Sequence, residues 1–325
     1  MSRTATLKDI SKVSGVSYRT VSEVLSGRES GEKYYYSNKA KETVLKTAKE
    51  LGYRKNRSAR NTVHKRHGTI AVVIDSLFTI RMVMFNSMSK AAADNDLLLV
   101  IDRIDGDNIL PRSLSEDMCD GVILTGINAG KLGKKYEQLG VPAVYLHTDN
   151  PETPGAVSVD EYHGTEMIVN ALAEAGRKQI VLYFSQSTYK SSLIRREAFN
   201  YLSEQAGMKE PVLVEHYRSR YTYEFFLKHL EENSGIDAII IDEKNLIKAC
   251  NACTAAGKEI GRDISVICYG EQRGIAGSFH PKIDSLMIHN FDTGALVIDT
   301  LVRTIKGETV PAQKIQYEWH EGNSI

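Results

Sequence analysis

Apolar positions recur at helical spacing near the start of the chain and gather into short β-branched runs further on. Leu7, Ile10 and Val13 share one face of a predicted helix over residues 6–14. Gly15-Val16 breaks it. Ser17 then caps a second helix, with Thr20 able to reinforce the cap and Val21, Val24 and Leu25 as the apolar stripe. Gly27 ends that helix. Ser37 or Asn38 opens a third, carrying Val44, Leu45, Ala48 and Leu51, and Gly52 stops it. Three short helices with a Gly-containing turn between the first two predict a helix-turn-helix head over residues 1–55.

From residue 69 onward, strands and helices alternate. Strands are predicted at 69–74, 97–101, 121–125, 143–146, 179–184, 212–215, 237–241 and 264–269. Helices are predicted at 161–175, 191–205, 221–232, 244–256 and 290–305. The strands are nearly continuous apolar runs, which predicts parallel sheets covered on both faces. The fold class is therefore an all-α head joined to an α/β body of two doubly wound parallel-sheet lobes over 69–325. Ligands of such lobes bind outside the carboxyl ends of the strands, here in the cleft between two lobes. Residues 56–68 are polar, basic and weakly patterned, and read as a linker.

Composition sharpens this picture in one respect. The whole chain balances 41 Lys+Arg against 41 Asp+Glu, but residues 1–67 hold 16 basic and 6 acidic side chains, a net of +10, and the rest carries −10. A basic module on an acidic body points to polyanion binding by the first and another task for the second. No run approaches the length of a membrane span and the N-terminus lacks a secretory apolar region, so a cytoplasmic protein is expected. Cys250 and Cys253 form a C-x-x-C inside an amphipathic helical segment, where they read as small core residues rather than a redox or metal pair.

The outward residues of the head carry the chemistry. Ser17, Tyr18, Arg19 and Ser22 lie at the front and exposed side of the second helix, whose first turn can enter a major groove. Arg19 has the donors to engage both acceptors of a guanine, and Tyr18 can meet base or phosphate. Thr6 and Ser37, at helix starts, offer amide and hydroxyl donors to the DNA backbone.

These residues also carry a family resemblance. The run Ala5-Thr-Leu-Lys-Asp-Ile-Ser-Lys-Val-Ser-Gly-Val-Ser-Tyr-Arg-Thr-Val-Ser-Glu-Val-Leu-Ser-Gly closely resembles the start of the lactose/galactose repressor (LacI/GalR) family, and Lys49-Glu-Leu-Gly-Tyr-Arg-Lys-Asn continues the match. The resemblance implies a dimeric or tetrameric bacterial transcription regulator with a DNA-reading head, a hinge and a periplasmic-binding-protein-like body. It implies that Ser17, Tyr18, Arg19 and Ser22 take the family's DNA-reading positions and that Asn56, Ala59 and Arg60 match its hinge, which in the family pairs with its dimer mate in the minor groove; Thr6, Leu7, Glu23, Ser37 and Thr62 complete the candidate DNA contacts.

Three departures stand out in this part. Glu23 replaces a frequent Arg; it either accepts from cytosine N4 or pairs with Arg19 one turn earlier, and the pairing is preferred. The loop from Arg28 to Tyr36 is longer than usual and carries Tyr34, Tyr35 and Tyr36, either as phosphate contacts or as extended surface. Thr62 stands where the family's apolar wedge is usually Leu, which puts the central DNA kink in doubt.

The body resembles the family more weakly, through Asp120-Gly-Val-Ile-Leu, Val141-Pro-Ala-Val, Arg195–Phe199, Asp237-Ala-Ile-Ile and Asp263-Ile-Ser-Val-Ile. The resemblance places Arg195 and Asp160 at family cleft positions, Arg195 being otherwise an exposed helix arginine. Tyr269 and Phe291 either stack on a sugar face or lie in the core, and His147 with Phe78 and Arg81, which stand where the family usually has an Asn-Pro-Phe-Phe-like segment, complete the candidate effector contacts. Two polar groups usual in the family's sugar cleft are replaced, by Ile241-Asp242 and by Gly270. Arg81 and Arg195 together suggest an anionic effector such as a sugar phosphate, an idea that an arginine tied to a carboxylate would end. The segment 80–93, with Met82, Met84, Phe85 and Met88, divides between core and a dimer surface.

No phosphate loop, nucleophile elbow or zinc-helix motif is present, and the scattered histidines read as structural. No enzyme activity, cofactor or metal is expected. The leading expectation is a DNA-binding repressor acting as a homodimer on a palindromic operator and controlled by a sugar or sugar derivative in the inter-lobe cleft. The alternative is a regulator whose body binds a protein co-regulator instead.

Overall fold

The computed structural model describes residues 5–26, 36–54, 66–74, 82–104, 110–125, 140–148, 150–185, 190–209, 211–216, 221–271 and 274–325. The chain forms two compact units, Met1–His67 and Gly68–Ile325.

In the first unit, α1 (Leu7–Ser14), α2 (Tyr18–Ser26) and α3 (Asn38–Glu50) enclose a core of Ile10, Val21, Val24, Leu25, Tyr36, Val44 and Ala48. α1 opens with a capping box between Thr6 and Asp9 and closes at Gly15, whose φ of 69° is the left-handed cap that glycine adopts without cost. The apolar stripes are narrower than periodicity suggests. Val13, Leu45 and Leu51 are exposed, while Thr47 is buried in α3. Tyr36, expected in a surface loop, is a core residue: its ring fills the space that three short helices leave open. Residues 27–35 lie outside the described residues.

Among the described residues, the second unit forms two six-stranded sheets. Its first lobe is built from β1 (Thr69–Ile74), α4 (Met82–Asp94), β2 (Leu98–Arg103), α5 (Arg112–Ser115), β3 (Gly121–Thr125), β4 (Ala143–Leu146) and β5 (Ala156–Val159). The chain then crosses to the second lobe through α6 (Glu161–Glu174), β6 (Ile180–Ser185), α7 (Lys190–Gln205), β7 (Val212–His216), α8 (Tyr223–Glu232), β8 (Ala238–Asp242), α9 (Glu243–Ala255), β9 (Ser265–Glu271) and β10 (Asp284–Met287). It returns to the first lobe for α10 (Asn290–Ile305) and β11 (Gln313–Ile315), and ends in the second with β12 (Glu318–His320). Strand orders are β11-β5-β4-β3-β1-β2 and β12-β10-β9-β8-β6-β7. All pairs are parallel except β10–β12.

The apolar runs explain the layering. β1, β3 and β8 are buried along nearly their whole length, as strands covered on both faces must be. β2 is an exception: it is an edge strand and leaves Leu98 and Ile101 exposed. Met84 and Met88 of α4 belong to the core with Val297, Ile298 and Leu301 of α10, while Met82 is exposed. Gly294 lets α10 approach α4, since a Cβ there would lie 2.5 Å from the Met84 carbonyl oxygen. Cys119, Cys250, Cys253 and Cys268 are all buried thiols, and Cys250 and Cys253 lie on the core-facing side of α9, as the core reading expects.

Periodicity misses β5, β10, β11 and β12. They are three or four residues long, and β10 begins with a buried carboxylate. Asp284 is tolerated there because Gly322 N–H, Ser324 N–H and the Ser324 hydroxyl donate to it at 2.9, 2.9 and 3.0 Å. The same bonds anchor the C-terminus against the second sheet.

Candidate DNA interface and ligand cleft

In the head, the residues expected to meet DNA fall on one helix start and two caps. Ser17 Oγ accepts the Thr20 N–H at 3.1 Å and shares a 2.9 Å hydrogen bond with the Thr20 hydroxyl, so α2 begins as its sequence predicts. Tyr18 and Arg19 then project outward: Tyr18 is half exposed and the Arg19 side chain is 82 % exposed. Ser22 is half-buried beside them. Glu23 lies under Arg19 and is itself buried; Arg19 Nε donates to Glu23 Oε1 at 2.9 Å. The preferred reading of Glu23, a partner that orients Arg19, is the arrangement observed.

Thr6 is occupied by its own helix. Its N–H and hydroxyl both donate to Asp9 Oδ2, at 2.8 and 2.7 Å, so both donors expected to meet phosphate are engaged within the chain. Leu7 is half-buried against the head core. Ser37 is exposed and accepts the Ala40 N–H at 3.2 Å, capping α3. Asn56, Ala59, Arg60 and Thr62 lie outside the described residues.

In the body, His147 follows β4 with a φ of 54° and donates its N–H to the Val157 carbonyl at 3.1 Å. Asp160 caps α6 by accepting the His163 N–H at 3.2 Å, receives Gln316 Nε2 at 3.4 Å, and donates its own N–H to the Ile315 carbonyl at 2.9 Å. It thus ties the first crossover between lobes to the last. Asp242 spends one carboxylate oxygen on Asn245, accepting its N–H at 3.0 Å and its amide at 2.9 Å. Phe78, Arg81 and the side chain of Phe291 lie outside the described residues.

Arg195 and Tyr269 converge on a residue that periodicity does not single out. Glu161, the first residue of α6, is buried, and its Oε2 accepts Arg195 Nη2 at 2.9 Å and Arg195 Nε at 3.2 Å. The same oxygen accepts the Tyr269 hydroxyl at 2.8 Å and the Tyr317 hydroxyl at 3.2 Å. The guanidinium carbon sits 3.9 Å from the centre of the Tyr269 ring, and the Tyr269 and Tyr317 rings meet edge to face at 5.2 Å. Gly164 makes room for Tyr317; a Cβ there would run into its ring.

Burial is the largest influence on Arg195 and opposes its charge, but Glu161, Tyr269 and Tyr317 together raise the guanidinium well above its ordinary range. Burial, then the Glu161 charge, push the Tyr269 and Tyr317 phenols up, so both remain donors. Glu161 was legible only as an acidic residue in a helix's first turn, where such residues are common. Tyr317 lies in a polar tail that carries no periodic signal.

One expectation falls here. Arg195 is tied to a carboxylate, so its positive charge is already neutralised within the fold, and the anionic effector inferred from Arg81 and Arg195 is withdrawn. Among the described residues no cluster of side chains suits a metal ion, and no helix is long and apolar enough to cross a membrane.

Comparison with known proteins agrees with this architecture. Residues 6–56 match the family model for bacterial regulatory proteins, lacI family, and residues 169–325 match that for a periplasmic binding protein-like domain. The chain is 26 % identical over 324 residues to the ribose operon repressor of Halalkalibacterium halodurans, covering 96 % of this chain and 93 % of that protein. In structure it is similar to the Lac repressor dimer bound to operator and the anti-inducer ONPF, with a TM-score of 0.80 at 19 % identity over 99 % of each chain. It is also similar to the transcriptional regulator CelR in complex with cellobiose, with a TM-score of 0.64 at 20 % identity over 99 % of this chain and 100 % of that one.

Proposed function

Given that this chain belongs to the LacI/GalR family of bacterial regulators, we infer that it is a cytoplasmic repressor that binds a palindromic operator as a homodimer and responds to a neutral sugar in the cleft between its lobes. The observation that carries the DNA part is the start of α2: a capped helix presents Tyr18 and Arg19 to solvent while Glu23 orients the guanidinium from below. A planar arginine held by a carboxylate can engage both acceptors of one guanine. In this reading Ser17, Tyr18, Arg19 and Ser22 read bases, Ser37 meets the backbone, and Asn56, Ala59, Arg60 and Thr62 form the hinge. Thr6, whose donors Asp9 holds, contributes through its cap.

Two-fold pairing is supported by apolar side chains left exposed on the first lobe, Met82 and Val83 of α4 and Leu98 and Ile101 of β2. One head offers few base contacts, and a two-fold pair doubles them at fixed spacing. The ligand part is supported by the placement of Asp160 and Tyr269 at or near the carboxyl ends of strands, where doubly wound sheets bind small molecules, and of Arg195 in the second turn of the helix that follows β6. A sugar is the class bound by the similar CelR structure and named in the ribose repressor. The ligand acts by binding one lobe arrangement more tightly than another, which changes operator affinity.

The test is selection of double-stranded DNA from a random library by the purified chain at two salt concentrations, followed by operator titration with neutral sugars. A palindrome with steep salt dependence and a sugar-dependent shift is expected. Sequence-blind binding would refute the operator reading. An operator indifferent to every sugar would refute the effector and turn attention to a protein co-regulator.

A further inference from the structure

Glu161 is the unusual group in the second lobe. A single carboxylate oxygen receives four hydrogen bonds from three side chains, one of them cationic. The donors come from α7, from β9 close to its carboxyl end, and from the connection between β11 and β12. The node therefore sits where a small molecule would enter, at the carboxyl ends of the second sheet.

Arg195 keeps a fifth of its side-chain surface exposed, and among the described residues its bonds use Nε and one Nη2 hydrogen. The remaining N–H groups of a guanidinium are directional donors. Their charge, however, has been met from inside the fold. A hydroxyl arriving at this edge finds a donor; a phosphate or carboxylate finds a donor backed by an anion. At a separation of about 5 Å and an effective dielectric of about 20, that like-charge repulsion corresponds to more than a tenfold loss of affinity.

We propose that Glu161 determines the charge of ligand that the cleft accepts, by occupying Arg195 so that uncharged polyols bind and phosphorylated or carboxylated ones are rejected. The assignment rests on the reading that the inter-lobe cleft binds a small molecule. It goes beyond naming Arg195 as a contact, because it makes an internal carboxylate, rather than the arginine, the determinant of selectivity. A purely structural ion pair would give the same stability but no such selectivity.

The experiment is titration of the full chain with inorganic phosphate and with glucose 6-phosphate, read by calorimetry and thermal shift. It compares wild type with Glu161→Gln, Glu161→Asp, Arg195→Gln and the Glu161→Gln/Arg195→Gln double variant. Anions also meet the basic head, so only the Arg195-dependent part of each response counts. The wild type and Glu161→Asp, which keep the charge, are expected to give no Arg195-dependent response. Glu161→Gln is expected to gain at least about tenfold in anion affinity, and the double variant to lose that gain.

Equal anion binding by wild type and Glu161→Gln, or a gain that survives removal of Arg195, overturns the proposal. Should Glu161→Gln fail to melt cooperatively, Glu161→Asn carries the same comparison. The wild-type arm also stands alone, since an Arg195-dependent response to glucose 6-phosphate in the wild type overturns it. Operator binding in the same samples separates this from the functional reading. A Glu161→Gln gain that depends on Arg195, with no operator selected by the wild type, keeps the Glu161 assignment and removes the repressor.

Discussion

Replacing Arg195 by Met tests how much of the second lobe depends on the Glu161 node. Glu161 is 5 % exposed and the Arg195 side chain 20 % exposed, so the pair is shielded from water and the usual discount for surface ion pairs does not apply in full. Removing one partner of a buried pair costs about 3–5 kcal/mol, because the other charge is left uncompensated. Here the loss falls at the lower end, about 3 kcal/mol, since Tyr269 and Tyr317 still donate to the carboxylate. Glu161→Gln keeps the volume and two acceptor positions but exchanges charged hydrogen bonds for neutral ones, at a cost of about 2 kcal/mol. The double variant places a neutral amide against a thioether, with both phenols still bonded, and is expected to lose only about 2.5 kcal/mol.

The coupling is thus about 2.5 kcal/mol, near the upper end for residues in contact. Trp319 is the one tryptophan and lies in β12 of the same lobe, so its fluorescence during urea unfolding reports the part of the molecule that the variants perturb. Additivity of the two single variants within about 0.5 kcal/mol would refute the coupling and with it the account of the node.

Three further outcomes follow from named contacts. Glu23→Arg removes the carboxylate that orients Arg19, and selection of DNA is expected to return a different base in each half-site; an operator unchanged at every position would discard the orienting role. Gly164→Ala should push Tyr317 off Glu161 and cost about 1–3 kcal/mol in urea unfolding, with no effect if the ring simply rotates away. Burial pushes the Cys119 thiol up to about 11 and the Cys250 and Cys253 thiols up to about 12. The folded chain therefore holds protons that the unfolded chain releases, so stability present below pH about 9 is lost as pH rises toward 12. Cys250→Ala/Cys253→Ala should flatten that alkaline decline, and parallel urea-midpoint curves for wild type and variant would count against it.

Much of the architecture could be read along the chain because it is written locally. The ranges 69–74, 121–125, 143–146 and 290–305 coincide with β1, β3, β4 and α10. Each is an apolar run or stripe long enough for its period to stand out. Ser17 and Ser37 could be recognised as caps because a cap bonds an amide three residues on. The pairing of Glu23 with Arg19 was legible for a similar reason: four residues is one helical turn.

What the sequence by itself determined is therefore the order of the longer helices and strands, the split between a basic head and an acidic body, and contacts within one helical turn such as Arg19 with Glu23. Only the tertiary structure decided that Leu45 stays exposed while Tyr36 is buried, that a polar tail supplies β12, and that Arg195 is neutralised. Glu161 meets Arg195, Tyr269 and Tyr317 across 34, 108 and 156 residues of chain. Periodicity records which face of an element is apolar. It carries no record of which polar group waits opposite, because that partner is chosen by the packing of whole lobes, and a buried carboxylate is stable only where packing has delivered its donors.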